Sequence, residues 1–248
     1  MKLSIATILW GKQKDAASFR SILDDVRKIG FDGIGLETRY LPRELLKNPR
    51  ALGEMIKESG LENAGSYSSM LASDIPFALE TGTPLFWVVV RREKTRAQAL
   101  RVLSKFSSLA RNSSITTALH NHLGTFFESE ADVLGALEKI PSLELCFDTA
   151  HAEAAGIDLL KFIKEHHEKI ALVHLKDLRV RAPKSKISFT RDFVNVGSGV
   201  IDFSKVIGAL RKARYSGYLM LEIDSMKGKP FTPREIASEG YARISKLL

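Results

Sequence analysis

Four times in this chain an apolar run ends abruptly in a side chain able to bind a metal ion. Residues 143–147 run into Asp148-Thr149-Ala150-His151, and residues 170–173 into His174-Leu175-Lys176-Asp177. Residues 217–221 end in Glu222, and residues 115–119 in His120-Asn121-His122. Short apolar runs with their polar chemistry at one end are what buried parallel strands look like. Polar ends on so many strands favour closure into a barrel, where functional groups gather at the carboxyl face.

The rest of the chain fits that frame. Strands are predicted over 2–10, 33–37, 61–67 and 84–90, and then from 115, 143, 170 and 218. Between them lie amphipathic stretches at 16–29, 43–59, 95–110, 128–140, 159–167, 203–213 and 233–247. The third helix, at 73–81, is abbreviated. This is an α/β chain, a (β/α)8 TIM barrel, expected as a single domain over 1–248. The 248 residues match the roughly 250 typical of that fold. The long irregular connection is 177–199, which carries Arg179, Arg181, Lys184, Lys186 and Arg191. Connections of that size are usually lids or binding loops.

No apolar run approaches the ~18 residues of a membrane span, and the N-terminus has no signal-peptide pattern. A cytoplasmic protein with no membrane partner is expected. Cys146 is the single cysteine, so no intramolecular disulfide can form, and its place inside a strand points to burial as a small apolar residue. The net charge of +8 favours anionic partners such as a sugar phosphate, a sugar acid or nucleic acid, although a solvated basic surface carries the same charge.

Asp148, His174 and Glu222 combine nitrogen and oxygen donors from three strands. Such a set suits Mn²⁺, Zn²⁺, Co²⁺ or Fe²⁺ better than a thiolate-seeking ion. Manganese is the favoured ion, and Mg²⁺ also fits the carboxylates. His120 and His122 alternate across Asn121 and face one side. One can be the fourth ligand, His120 foremost, while the other meets substrate. His151 is a ligand or an acid/base. Lys176 shares the His174 face and is placed to hold an oxyanion, unless it pairs with Asp177 at the surface. Glu37 is a substrate-binding carboxylate or base, and Glu222 is a further candidate base if its second oxygen is free of the metal. Trp10 is expected as a wall for a sugar ring, and Arg179 as a substrate contact. His166 and His167 read as solvent-facing cations at a helix end. The Gly-rich stretch 195–202 does not follow a strand, which argues against a nucleotide cofactor.

At Cys146-Phe147-Asp148-Thr149-Ala150-His151, His174-Leu175-Lys176-Asp177, Asn195-Val196-Gly197-Ser198-Gly199 and Glu222, the chain resembles the xylose-isomerase-like barrels. That superfamily holds sugar isomerases, epimerases and dehydratases, and an apurinic endonuclease branch. Residues 30–37, 65–68 and 120–125 make it look most like the inosose dehydratases. The resemblance implies one divalent metal on Asp148, His174 and Glu222, with His151 and Lys176 near substrate. It departs from the ketose epimerases, whose fifth strand supplies a metal-binding glutamate where this chain has His120. Half of a two-carboxylate relay is then missing, unless Glu128 or Glu130 folds back. What is left is isomerisation or dehydration of a sugar, cyclitol or sugar phosphate through an enediolate.

The endonuclease branch is the alternative. It needs further histidines where this chain has Tyr67 and Arg91, and an acid-x-histidine pair where it has Arg191 and Phe193. Nucleic acid is therefore not expected as a partner. A third reading is a barrel that binds a sugar without chemistry. The substrate, the ion and any homo-oligomer are left open by the sequence.

Overall fold

The computed structural model describes residues 1–91, 93–224 and 230–248. Its strands are β1 (Lys2–Ala6), β2 (Gly33–Leu36), β3 (Glu62–Ser68), β4 (Leu85–Val88), β5 (Thr116–His120), β6 (Leu143–Asp148) and β7 (Ile170–Leu175). β8 (Asp177–Leu178) and β9 (Phe193–Val194) form a small antiparallel ribbon, and β10 (Tyr218–Leu221) pairs with both β7 and β1. β1 to β7 and β10 thus make a closed, all-parallel barrel of eight strands, with helices covering its outside. This is the (β/α)8 architecture expected from the sequence. Among the described residues, no helix is long and apolar enough to cross a membrane.

Strand side chains alternate, so one residue in two faces the barrel axis. The outward set (Leu3, Ile5, Ile34, Leu36, Leu145, Phe147, Val173, Leu175) joins the large core under the helices. The inward set is a separate cluster of Ala6, Ala64, Leu85, Trp87, Ala118, Cys146, Leu172 and Met220. β2 offers Gly35 to this interior for a steric reason. A Cβ there would lie 2.5 Å from the Met220 side chain and 3.1 Å from Trp87. Met220 and Trp87 fill the space that β2 leaves.

Past the carboxyl ends of the strands the backbone ladder stops, and side chains take over its hydrogen bonds. Asn121 accepts from the Asp148 N–H at 2.8 Å and donates to the Asp148 carbonyl at 3.1 Å, joining β5 to β6. Thr149 does the same between β6 and β7, donating to the Lys176 carbonyl (2.6 Å) and accepting its N–H (3.1 Å). Thr7 accepts the Glu37 N–H at 2.7 Å, linking β1 to β2. A buried rim fixed in this way can hold side chains in one geometry.

Several elements differ from the sequence expectation. The first strand ends at Ala6, and Thr7–Trp10 coils into a 3-10 turn. The helix expected over 43–59 is two helices, Arg43–Lys47 and Pro49–Glu58. Pro49 has no N–H to continue the first helix and starts the second at its first position, with the Asn48 side chain capping. Thr149–Ala154 is helical rather than loop, with the Asp148 carboxylate as its N-cap. The third helix, Asp74–Thr81, is short as expected.

The 177–199 connection is anchored at its base. The buried Asp177 carboxylate accepts the N–H groups of Leu178, Gly199 and Ile201 at 2.7–3.1 Å. No Cβ fits at Gly199, where it would meet the Leu178 carbonyl and this carboxylate. The Asn195–Gly199 turn is fastened to the C-terminal helix, Pro233–Ser245. Asn195 donates to the Ile236 carbonyl, and Arg243 donates to Val196 and Ser198. That Gly-rich motif therefore fixes the chain and stands apart from the candidate site.

Candidate active site

The site is the inward row of the barrel carried two to four residues further. Ala118 leads to His120 and His122, Cys146 to Asp148, Leu172 to His174 and Lys176, and Met220 to Glu222 and Asp224. Gly35 leads likewise to Glu37 and Arg39, and Trp87 to Val89 and Arg91. Most of these residues line one small hollow at the carboxyl end of the barrel, together with Ile8 and Tyr67.

At its floor, donor atoms of Asp148, His174 and Glu222 lie within 4.8 Å of one another, all buried. His174 Nδ1 and Glu222 Oε2 are 2.5 Å apart. Among the described residues neither ring nitrogen of His174, nor Glu222 Oε2, has a hydrogen bond of proper geometry. Buried polar atoms without partners are costly, and here they belong to side chains of the type that ligates divalent ions. His120 completes the set, with Nε2 at 3.2 Å from Asp148 Oδ2. Two imidazoles and two carboxylates fit a divalent ion of the Mn²⁺, Fe²⁺, Co²⁺ or Zn²⁺ kind.

The second strand-five histidine is engaged elsewhere. His122 Nδ1 donates to the Leu123 carbonyl at 2.7 Å, and its Nε2 takes a hydrogen bond from Arg91. Burial, with the His120 and Arg91 charges, pushes its pKa down to about 3, so it is neutral. His151 is also fixed. Its Nδ1 accepts the Leu123 N–H at 3.2 Å, which leaves the ring proton on Nε2. Burial holds it neutral, well below the ordinary histidine range. In this tautomer His151 offers an N–H, and a donor atom of its ring lies within 4.8 Å of those of His120 and Asp148. The His122 and His151 rings lie 3.8 Å apart, tilted by 38°, with Phe189 edge-on to both.

Lys176 is 1% exposed. Its ammonium lies 2.9 Å from Glu222 Oε1, 3.2 Å from Asp148 Oδ2 and 3.1 Å from Asp224. Burial would strip its charge, but these three carboxylates hold its pKa well above the usual lysine value. Burial alone would raise Asp148 and Glu222. Nearby cations depress both instead, Lys176 at Asp148, and His174 followed by Lys176 at Glu222. Lys176 is thus a permanent buried cation paired with the site, whereas Asp177 is occupied by backbone N–H groups.

Glu37 is 3% exposed, and Arg39 grips it through both oxygens at 2.7 and 2.8 Å. Arg39 fixes the orientation of this carboxylate. Burial still raises its pKa, with Arg39 opposing. Asp224 was not foreseen. It faces the hollow, and burial pushes its pKa up to about 6, with Glu222 and Asp148 adding to the rise and Lys176 opposing it. Its signal in the sequence was its place two residues beyond Glu222.

Two expected substrate contacts lie elsewhere. Trp10 is carried by the 3-10 turn into a neighbouring hollow with Tyr40 and Pro233, which adjoins the site through Ile8 and Asp224, and Ile8 takes the inward position. Arg179 is exposed and donates to the Arg191 carbonyl inside the ribbon loop. Glu128 accepts from Gly124 and pairs with Lys184, and does not line the hollow.

Comparison with known proteins agrees with the barrel fold. Residues 70–247 match the family model described as xylose isomerase-like TIM barrel. The chain is 27% identical to the inosose dehydratase of Clostridium perfringens (strain 13 / Type A), covering 90% of each. It is 29% identical to that of Salmonella typhimurium (strain LT2), covering all of this chain and 96% of the relative. A crystal structure of the IOLI protein with a bound zinc atom superposes with a TM-score of 0.83 at 17% identity, over 100% of this chain and 98% of that one. This chain belongs to the xylose isomerase-like TIM barrel family.

Proposed function

We propose that this enzyme, a sugar- or cyclitol-modifying lyase or isomerase, dehydrates or isomerises a polyhydroxy ketone with the help of one divalent metal. The observation that carries the reading is the convergence of Asp148, His174 and Glu222, with His120 hydrogen-bonded to Asp148 beside them and with buried donor atoms on His174 and Glu222 that lack hydrogen bonds among the described residues. The dehydratase activity of the sequence relatives and the zinc of the structural neighbour support it.

When bound, a divalent ion held by these four residues supplies Lewis acidity to a substrate carbonyl and lowers the pKa of the adjacent C–H. The chain's own groups do the rest. Lys176 keeps its charge in a dry site and donates to the oxygen that gains negative charge as the C–H proton leaves. Asp224 is ionised at neutral pH, yet close enough to its pKa to take that proton and give it back. In a dehydration the proton passes from Asp224 to the departing β-hydroxyl, so that H and OH leave the substrate together as water. In an isomerisation it returns to the neighbouring carbon. Glu37, fixed by Arg39, and the Nε2–H of His151 orient substrate hydroxyls.

The test is turnover in D₂O with Mn²⁺, followed by NMR on inosose and a panel of ketoses. Deuterium at the carbon next to the carbonyl, or loss of water with a new enol or diketone signal, is the expected result. A substrate that turns over while keeping its α C–H, with no deuterium anywhere, rules out proton abstraction. Asp224→Asn is expected to lower turnover while leaving metal content unchanged.

A further inference from the structure

The hollow against Glu222 is small, with a volume of ≈ 40 Å³, room for on the order of three water-sized groups. A sugar or cyclitol ring cannot enter whole. When the reacting carbons reach the floor, the remainder must extend into an adjoining hollow, and the one of ≈ 190 Å³ shares Arg39, Tyr67, Val89 and Arg91 with the first. Ser69, Met70, Val102 and Glu93 complete its wall.

Two guanidinium groups thus border this continuation of the site, while a second hollow adjoins it through Ile8 and Asp224 on the other side. Both are exposed at the tip and anchored at the root. Arg39 spends Nε and Nη2 on the buried Glu37 and lies over the Tyr67 ring, 4.2 Å from its centroid. Those two bonds leave its Nη1 edge for a ligand. Arg91 is tied through Nη2 to the buried, neutral His122. A neutral imidazole orients Arg91 without cancelling its charge. Glu93 lies on the same wall.

We infer that the outer hollow is a subsite for a substrate oxyanion group, a carboxylate or a phosphate ester, held between Arg39 and Arg91 while the hydroxy-ketone end lies against Glu222. This rests on the function proposed above and narrows it to acidic substrates. Planar guanidiniums held in fixed orientation suit such groups, and charge-assisted hydrogen bonds to them are about twice as strong as neutral ones. A neutral sugar would bring no negative charge to the Nη1 edge of Arg39 or to Arg91.

The experiment is titration of the metal-loaded protein with inorganic phosphate, gluconate and glucose, read at the arginine Nε–H signals by ¹H–¹⁵N NMR. Arg39 and Arg91 signals are assigned from Arg39→Gln and Arg91→Gln, and Arg211, near the C-terminus, serves as the reference. The expected result is a saturable shift of both Arg39 and Arg91 with phosphate or gluconate, none with glucose, and binding about tenfold weaker in Arg91→Gln. The tighter of the two anions identifies the group. No saturable shift, a shift matched by Arg211, or a response from one arginine alone overturns the subsite. Metal content is read on the same samples. Intact metal binding with no anion response defeats the subsite alone, whereas loss of the metal centre defeats the proposed function.

Discussion

The two ends of the barrel interior are built from the same strands and the same alternation, yet share almost no chemistry. At the lower level Ala118, Cys146, Leu172 and Met220 pack as an apolar layer with Trp87. One step along each strand, His120, Asp148, His174 and Glu222 occupy the equivalent positions. The lower layer needs only to fill space. The upper one keeps two ionised carboxylates, a lysine and three histidines away from water, which is unfavourable for folding unless they satisfy one another. Stability and chemistry are thus stacked along one axis, and variants at adjacent inward positions should separate them.

The sharpest separation is expected at Lys176. Lys176→Met leaves Asp148, Glu222 and Asp224 without their shared cation, and removing one partner of a buried ion pair costs about 3–5 kcal/mol. Denaturant unfolding of the metal-free variant should show that loss, and Mn²⁺ should restore more stability to it than to the parent. Equal stability of the two metal-free proteins would mean that Lys176 is not what offsets the carboxylates.

One layer down the expected effect is different in kind. Met220 is fully buried against Gly35, so Met220→Ala should cost about 2–5 kcal/mol through lost packing. Metal bound per folded chain should not change. If metal affinity fell in parallel with stability, the two levels would be one unit and the comparison would fail.

A smaller effect concerns pH. Burial lowers the His174 pKa, but Cys146 and Glu222 more than reverse this and raise it well above the ordinary value. Without metal its proton is therefore held through neutral pH, and a ligating histidine must give that proton up. Metal affinity should rise with pH, by about tenfold per unit below the His174 pKa, with proton release seen as buffer-dependent calorimetric heat. Affinity that is flat between pH 6 and 8 would remove His174 from the ligand set.

The sequence carried this alternation in plain form, which is why the barrel and its strand ends were legible. Apolar runs ending at His120, Asp148, His174 and Glu222 needed no tertiary information to be seen. What was not legible lay beyond the strands. Trp10 was placed by extending β1 past Ala6, but a four-residue 3-10 turn rotates the chain and brings Ile8 inward. Arg179 was chosen for its loop, and its direction is set by the pairing of β8 with β9, a long-range event. His151 was correctly placed near the others, but its tautomer depends on the Leu123 N–H, which no spacing reveals. Asp224, Arg39 and Arg91 could have been found by counting two residues onward along the inward row.

The central claim is that four side chains from four strands form one metal centre. Anomalous diffraction at the manganese edge, from crystals soaked in Mn²⁺, tests it directly. One peak per chain is expected, about 2.0–2.2 Å from a donor atom of each of His120, Asp148, His174 and Glu222, and absent in Asp148→Asn. A peak bound through His122 or His151 instead, or no peak at saturating Mn²⁺, would contradict it.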